Sequence, residues 1–265
     1  MKIRRERIDP AIPLENSFIA YDDLKQDVGS CTVEARHMSM FPECPWQIVI
    51  SAQGDERALH VLYGAAVARA RVLAQEMGVH ARVYAEVPVG DEAALSVLEA
   101  LGFACEDGVS RMYREVTNRP NIKHLPEGCT IVRDFLADAE ERKFFLERYN
   151  ACFGTKYDEE WLDELTGRND FARILMVSPD DLCGELAVWS EDGAGVIGVI
   201  QTAKRWRRRG VATYLLEDAR LYFDSLGLDY SRFDVWMQSP GCPELAMHAD
   251  YSDGDPVILY PFMYV

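Results

Sequence analysis

Apolar residues recur every three or four positions in two segments of the first half of the chain, a spacing typical of amphipathic helices. The longer segment is Asp55–Met77, and Gly78 follows it. The shorter segment is Asp91–Leu101, and Gly102 follows it. A glycine directly after a periodic segment is a common stop signal for a helix. The pattern therefore predicts two helices that each end at a glycine.

Short runs of β-branched and aromatic residues lie around these helices and predict strands. In the first half the predicted strands are Ser17–Tyr21, Cys31–Met38, Trp46–Ala52, Ala81–Val87, Phe103–Cys105 and Ser110–Val116. In the second half they are Cys129–Phe135, Phe171–Val177, Glu185–Ser190, Gly195–Thr202, Ser231–Gln238 and Val257–Val265. The helices predicted there are Asp138–Cys152, Asp158–Leu165, Val211–Leu226 and Pro243–Ala249.

Both halves share the order strand, strand, strand, helix, strand, helix, strand. This order predicts a tandem repeat of one α+β unit, whose first copy is shortened at its N-terminus by a strand and two helices. Between the halves, the segment Thr117–Gly128 contains two prolines, two asparagines and a final glycine, as linkers often do. We therefore predict domains at 1–118 and 129–265, joined by a linker at 119–128.

Composition narrows the class of protein. The chain of 265 residues has 28 basic and 44 acidic residues and a net charge of −16, which disfavours general binding of nucleic acid. No apolar run approaches the roughly 20 residues of a membrane helix, and the basic N-terminus lacks the apolar stretch of a secretory signal. Seven cysteines without a C-x-x-C pair indicate reduced thiols in a cytoplasmic protein. The five histidines show no metal-ligand spacing, so no metal is expected.

Basic residues are concentrated at one place in this acidic chain. Five of the 28 fall within the six positions Lys204–Arg209, after an apolar strand and before Gly210. An amphipathic helix is predicted from Val211, and the N-terminus of a helix offers unpaired N–H groups and a partial positive charge. Gly210 lets a ligand approach this backbone closely. The segment therefore predicts a binding site for a phosphate or diphosphate.

At these residues the sequence resembles the GCN5-related N-acetyltransferase (GNAT) superfamily. Its diphosphate loop reads Arg or Gln, two residues, Gly, one residue, Gly or Ala, which here is Arg207–Ala212. The resemblance implies a three-layer α/β/α fold with a mixed central sheet in each domain, and acetyl-CoA as cosubstrate. It implies that loop amides hold the diphosphate, and that the preceding strand binds the pantetheine arm and the acetyl carbonyl. The residues it places at the coenzyme are Ile200, Gln201, Thr202, Arg207, Arg208, Arg209, Gly210, Val211, Ala212 and Thr213.

The first half carries a weaker form of the same resemblance. Ala94, Leu98 and Gly102-Phe103 occupy the places of the family's fourth-helix signature, with Leu98 where a tyrosine often stands. The loop before its long helix, Ser51–Arg57, is short and contains acidic residues where the coenzyme would require cations. We therefore expect a degenerate copy that does not bind acyl-CoA.

Candidate catalytic groups lie in the second half. Aligning Ala246 with the signature alanine puts Asp250 at the tyrosine position, so Tyr251, one residue away, is the candidate general acid, with a packing role as the alternative. The amine must lose a proton before it attacks. Glu185 is the best-placed carboxylate for this step, although a surface acid or an ordered water as base stays open. Trp161, Trp189 and Trp206 can line a pocket, with core packing as the default.

Together these residues predict an acetyl-CoA-dependent N-acetyltransferase that is active in its second copy. The acceptor would be a small primary amine, and the acidic surface favours a cationic one. The competing interpretation is a module that binds acyl-CoA without turning it over, or regulates a partner. Nucleic-acid binding through the basic segment is disfavoured by the net charge. Neither a nucleic-acid nor a membrane partner is expected, and the oligomeric state is open, with a homodimer as one candidate.

Overall fold

The computed structural model describes residues 1–116, 125–252 and 254–265, which form two compact units. Unit 1 comprises residues 1–109, 151–155 and 256–265, and unit 2 comprises 110–150 and 156–255. Most of the predicted linker, residues 119–124, lies outside the described residues. The last ten residues belong to unit 1 in this division, whereas the predicted second domain 129–265 includes them.

The strands are β1 (Lys2–Arg5), β2 (Ser17–Tyr21), β3 (Asp27–His37), β4 (Trp46–Gly54), β5 (Arg82–Ala85), β6 (Val87–Pro88), β7 (Gly108–Glu115), β8 (Thr130–Asp134), β9 (Ala172–Ser178), β10 (Asp181–Glu191), β11 (Ala194–Thr202), β12 (Tyr230–Trp236), β13 (Pro256–Leu259) and β14 (Phe262–Tyr264). The helices are α1 (Glu56–Met77), α2 (Glu92–Ala100), α3 (Ala139–Phe153), α4 (Glu159–Thr166), α5 (Val211–Ser225) and α6 (Cys242–His248).

Unit 1 has a six-stranded mixed sheet in the order β1-β2-β3-β4-β5-β14. The central pair, β4 and β5, is parallel, and the other pairs are antiparallel. Helix α1 begins after Asp55, whose carboxylate accepts a hydrogen bond from the N–H of Ala58, and it ends at Gly78 in the left-handed conformation. Leu62 and Ala66 of α1 are fully buried in the apolar core of this unit. The predicted helix and its stop signal are confirmed.

Three predictions about strands were wrong. The predicted strand Val257–Val265 is two short strands, because Pro261 falls between them and cannot donate a ladder hydrogen bond. Phe103–Cys105 forms no strand, only an isolated bridge between Ala104 and Phe262. The first copy is not short of a strand: β1, with the sequence KIRR, is a largely exposed edge strand. Its charges gave no apolar pattern, as is usual for protected sheet edges.

Unit 2 has strands in the order β7-β12-β11-β10-β9-β8, and β11 and β12 are parallel. Helix α5 packs closely on β10 and β11, where two glycines make room. A Cβ at Gly184 would lie 2.8 Å from Val211 Cγ1, and one at Gly195 would lie 2.5 Å from the Phe223 ring. Neighbouring residues of a strand face opposite sides of a sheet. Glu185, next to Gly184, accordingly faces away from α5, where it accepts a hydrogen bond from Arg148 of α3.

Unit 2 therefore has helices on both faces of its sheet, and each unit contains a mixed sheet, which confirms the predicted α+β fold class. Unit 2 has an apolar core of its own, to which α5 contributes Leu215 and Phe223. Among the helices of the described residues, none has the length and apolar character that crossing a bilayer would require.

Candidate functional site

Strand β11 separates from its parallel neighbour along its second half. Gly195–Ile197 pair with Ser231–Phe233, and the structure describes no pairing of β11 with β12 beyond Ile197. The register with β10 also shifts at this point, because Leu186 lies opposite Ile200 whereas Val188 lies opposite Ile197. One extra residue on β11 therefore forms a bulge, which bends the strand. Backbone groups of residues 198–202 on the β12 side are left available to a ligand.

The loop after β11 leads to an uncapped helix N-terminus. After a 3₁₀ turn at Lys204–Trp206, Arg208 and Gly210 adopt left-handed conformations, with φ of +62° and +82°. Helix α5 begins at Val211, and no side chain caps its first turn. A Cβ built on Gly210 would meet no atom within 4 Å, so the space in front of the helix is open. The first-turn N–H groups can therefore bond an external anion.

Most of the loop's positive charge is not neutralised by the protein itself. Arg205 forms an ion pair with Asp181. Within the described parts of the chain, Lys204 and Arg208 have no ion pair or hydrogen bond from their side chains, and both are exposed. A helix N-terminus beside uncompensated cations attracts multivalent anions such as phosphates.

Two other arginines of the loop are oriented by neutral groups. The Nε of Arg207 donates to the carbonyl of Thr202 at 3.3 Å. The guanidinium of Arg209 lies 5.2 Å from the centre of the Trp206 ring, a distance that permits a cation–π interaction. Both interactions leave the positive charge of the guanidinium in place.

The structure brings the residues predicted to bind the coenzyme into one region. Ile200, Gln201 and Thr202 form the diverging end of β11, and Arg207–Thr213 form the loop and the first turn of α5. The N–H of Ala203 donates to the carbonyl of Cys183 at 3.0 Å, which fixes the start of the loop on β10. That these residues bind acyl-CoA stays a prediction.

Tyr251, the candidate general acid, is buried. Its hydroxyl lies 3.0 Å from Ser231 Oγ, and its ring meets that of Phe233 edge-on. Burial raises the pKa of Tyr251 to about 12. Ser231 pairs with Gly195 at the start of β11, whereas the cationic loop follows Thr202 at its end. This placement favours the packing role that was the alternative for this side chain.

Glu185, the candidate base, is buried in an ion pair. Its two oxygens accept hydrogen bonds from Arg148 at 2.6 and 2.9 Å, and Arg173 Nη1 lies 3.6 Å from Oε2. Arg173 is fully buried and is also paired with Asp134 and Glu141, so Glu185 belongs to a network of charges within unit 2. The burial of Glu185 excludes the alternative of a surface acid, and the ion pair disfavours Glu185 as a base, a role that stays a prediction.

A cavity of about 240 Å³ opens on the α3 and α4 side of the sheet of unit 2. It reaches the bulge of β11, because Gly198 and Val199 form part of its lining. Its lining residues are Tyr149, Trp161, Glu164, Leu165, Arg168, Trp189, Gly198 and Val199. Its lining combines aromatic and aliphatic side chains with the charged Glu164 and Arg168, and such a combination can bind a small molecule.

Aromatic side chains shape this cavity. Tyr149 and Trp161 lie 4.7 Å apart between ring centres, and Tyr157 stacks on Trp161 at 4.5 Å. The ring of Trp189 lies against Gly198 in the bulge. A Cβ added to Gly198 would lie 2.2 Å from the Cζ3 atom of Trp189. The indole of Trp189 can therefore occupy this place only over a glycine.

Sequence reasoning named Trp161 and Trp189 as pocket candidates but missed Glu164, Arg168 and Tyr149. Glu164 and Arg168 are four residues apart, a spacing that also fits an exposed ion pair on a helix. No signal in one sequence separates these two possibilities. Trp206 contacts the loop arginine Arg209 instead of the cavity.

Unit 1 lacks the features that open this site in unit 2. Its β3–β4 register is unbroken from Gly29–Gly54 to His37–Trp46, so β4 has no bulge. Asp55 alone joins β4 to α1, and its own carboxylate takes the N–H of Ala58. The anion position of this helix is thus occupied by the protein itself.

Solved structures share this fold. One is a GCN5-related N-acetyltransferase from Sphaerobacter thermophilus, 16% identical, with a TM-score of 0.53 over 97% of this chain and 82% of that one. Another is a conserved protein from Enterococcus faecalis V583, described as a probable N-acyltransferase, 13% identical, with a TM-score of 0.55 over 92% and 61%. A third is the glucosamine N-acetyltransferase region of a fungal multi-domain β-N-acetylglucosaminidase, 12% identical, with a TM-score of 0.51 over 93% and 33%.

At these identities the likeness shows the fold: the chain has the fold of the GCN5-related N-acetyltransferases. No protein-family model and no curated protein matches the sequence. What unit 2 does with this fold must therefore be argued from its own residues.

Proposed function

We propose that unit 2 transfers an acetyl group from acetyl-CoA to the primary amine of a small acceptor. One observation carries the proposal. The bulge of β11 lies between an uncapped, cationic helix N-terminus, reached through Thr202, and a cavity lined by Gly198. A diphosphate carrier and a second small molecule could thus meet at the same strand.

The loop would hold the coenzyme. The N–H groups from Arg208 to Thr213 would bond the diphosphate, and Gly210 leaves the approach open. The uncompensated charges of Lys204 and Arg208 would add to the attraction. Residues 200–202 pair with β10 on one side, and their backbone on the β12 side would bond the pantetheine arm in the manner of an added strand. Bound acetyl-CoA supplies the thioester.

The transfer itself needs three proton movements. The ammonium of the acceptor loses a proton, the nitrogen attacks the thioester carbon, the C–N bond forms, and the C–S bond breaks. The nitrogen then loses a second proton, and the thiolate gains one from solvent. A backbone N–H near Ile200 would stabilise the negative charge that develops on the carbonyl oxygen. Holding both reactants at one strand accounts for much of the rate enhancement we expect.

Glu164 is the carboxylate we propose as the proton acceptor. It lines the cavity, and in the described residues no ion pair or hydrogen bond occupies its carboxylate. Glu185, in contrast, is held by Arg148 and Arg173. A positioned carboxylate contributes about 10²- to 10⁴-fold to such a proton transfer.

Thiol release from acetyl-CoA with a panel of primary amines tests the proposal. We expect amine-dependent release, and a loss of at least about 10²-fold in kcat for Glu164→Gln with acetyl-CoA affinity unchanged. Glu160→Gln is the matched control, since Glu160 lies on the same helix, is exposed and does not line the cavity. Full activity of Glu164→Gln would remove this residue from the mechanism.

A module that binds acyl-CoA without turnover is the second candidate. The burial of Tyr251 favours it, because that tyrosine is bonded to Ser231 and no other side chain has been assigned as general acid. Such a module would be stabilised by about 2.7 kcal/mol at a hundredfold excess of acetyl-CoA over its Kd. It would release no thiol with any amine, which separates it from the enzyme.

A further inference from the structure

The cavity of unit 2 carries one carboxylate and one guanidinium that do not pair with each other. Glu164 and Arg168 both line it, and in the described residues neither side chain forms an ion pair. Arg168 instead lies over the ring of Trp189, 4.3 Å from its centre. Arg168 lies beyond Thr166, where α4 ends, so the two side chains do not share a helix face, and both are exposed. Here both remain available to a ligand.

The two charges border a small space whose other lining residues are aromatic and aliphatic. The cavity volume of about 240 Å³ is below the roughly 300–1,000 Å³ of pockets for drug-sized ligands. Tyr149, Trp161 and Leu165 provide surface for an apolar group. A large polycation fits neither this size nor this charge, because Arg168 would repel a second positive group.

We propose that the acceptor is a small zwitterion: an amino acid with an apolar side chain. The inference rests on the proposed function and specifies its substrate class. Arg168 would bind the carboxylate through two parallel hydrogen bonds, the geometry that a guanidinium favours. Glu164 would bind the ammonium group and direct it to the bulge at Gly198. Tyr149 and Trp161 would enclose the side chain.

The test compares three amines of similar size: leucine, leucine amide and isoamylamine. All carry a primary amine, but only leucine has a carboxylate. We expect kcat/KM for leucine to exceed that for each of the others by at least about tenfold, since hydrogen bonds between charged groups are the strong ones. Arg168→Ala should bring the ratio between leucine and leucine amide close to one. Arg168→Lys, which keeps the charge without the planar fork, should restore part of it.

Lys156→Ala is the matched control for Arg168→Ala. Lys156 is an exposed cation of the same unit that does not line the cavity, so its loss should leave the ratio as it is in the natural chain. If leucine amide or isoamylamine is acetylated as well as leucine, the inference is overturned while the proposed function stands. The same holds if the ratio survives Arg168→Ala.

A binding measurement separates the inference from the proposed function. Trp161 and Trp189 line the cavity, so leucine should change the intrinsic tryptophan fluorescence. Leucine should bind more tightly than leucine amide, and this difference should depend on Arg168. If that holds while no amine releases thiol, the transferase proposal fails and the zwitterion site stands. If leucine is neither bound nor acetylated, the site assignment is wrong.

Discussion

At the scale of single residues, burial decides what the polar groups of unit 2 can do. Tyr251 and Glu185 are ionisable side chains near the central strands, and each is hydrogen-bonded to another side chain of the protein. Glu164 and Arg168 line a cavity and form no ion pair in the described residues, although Arg168 lies over the ring of Trp189. We therefore expect the groups that bind a ligand to be among those that have no ion pair within the protein.

Tyr251→Phe tests this distinction. The change removes a buried hydrogen bond and leaves Ser231 Oγ unsatisfied, so the free energy of unfolding should fall by about 1–3 kcal/mol in urea denaturation. The kcat of acetyl transfer should change by no more than a few-fold, because the hydroxyl faces Ser231. A drop in kcat of about 10²-fold or more, with stability unchanged, would restore Tyr251 as the general acid.

Gly210 allows charge to be tested apart from backbone conformation. Aspartate and asparagine have nearly the same shape, both tolerate the left-handed conformation, and both cap helices well. Gly210→Asp places a negative charge at the proposed diphosphate position, so acetyl-CoA affinity should fall at least about tenfold relative to Gly210→Asn. Calorimetric titration of both variants measures this ratio. Equal affinities would mean that the anion binds elsewhere.

At the scale of elements, close contact between α5 and the sheet places the loop. Gly184 lies beneath Val211 at the start of the helix, and Gly195 lies beneath Phe223 near its end. Because both contacts exclude a Cβ, the helix has little freedom to shift along β10 and β11. The N–H groups of its first turn are therefore held next to the diverging end of β11.

Gly195→Ala should disturb this contact. The added methyl group would lie 2.5 Å from the ring of Phe223, and overpacking of this kind costs about 1–3 kcal/mol of unfolding free energy. Gly64→Ala is the control, since a Cβ there meets no atom within 4 Å and alanine favours the interior of α1 by about 0.5–1 kcal/mol. Urea denaturation should thus show opposite signs. A neutral Gly195→Ala would mean that α5 can move away from the sheet.

Local patterns predicted most elements but not their partners. Strand β2 has its predicted bounds, Ser17–Tyr21, and α1 begins within one residue of prediction, because apolar spacing and end signals are local. The pairing of β14 with β5 could not be predicted, since two strands far apart in the chain carry no local sequence pattern that identifies them as partners. The loop from Lys204 to Gly210 could be predicted as an anion site because its positive charges are adjacent in the sequence.

The cavity is the part of the site that could not be predicted from the sequence. Trp161 and Trp189 are far apart in the chain, and only the fold brings them to one cavity. The ion pair of Glu185 could not be predicted for a related reason. Its partners Arg148 and Arg173 come from a helix and a neighbouring strand, which no spacing rule connects.

At the scale of the whole molecule, the two units have similar sheets but differ in the features that form the proposed site of unit 2. Both have a parallel central pair, β4–β5 in unit 1 and β11–β12 in unit 2. The strand bulge and the cationic loop occur in unit 2, whereas α1 of unit 1 starts directly after Asp55. We therefore expect one acetyl-CoA site for each chain.

The buried thiols and phenols make the stability of the molecule sensitive to alkaline pH. Burial raises the pKa of Cys31 and Tyr251 to about 12, and that of Cys242 to about 11. In the unfolded chain these groups lose their protons at lower pH, near 8.5 for cysteine and about 10 for tyrosine. Above these values the unfolded state binds fewer protons than the folded state, so stability falls as pH rises.

Urea denaturation at a series of pH values should therefore show a free energy of unfolding that declines from about pH 9 towards pH 12. Each buried group contributes a slope of up to about 1.4 kcal/mol per pH unit. Tyr251→Phe should decline less steeply above about pH 10, because one of these groups is gone. A flat profile would show that water reaches these side chains in the folded state.

Calorimetric titration of the full chain with acetyl-CoA and with acetylpantetheine tests the central claim most directly. Both ligands carry the same thioester, but acetylpantetheine lacks the diphosphate and the phosphoadenosine attached to it. We predict that one acetyl-CoA binds per chain and that acetylpantetheine binds at least about 100-fold more weakly, because several charge-assisted hydrogen bonds are lost. Equal affinities, or no binding of acetyl-CoA, would contradict a diphosphate site at the N-terminus of α5.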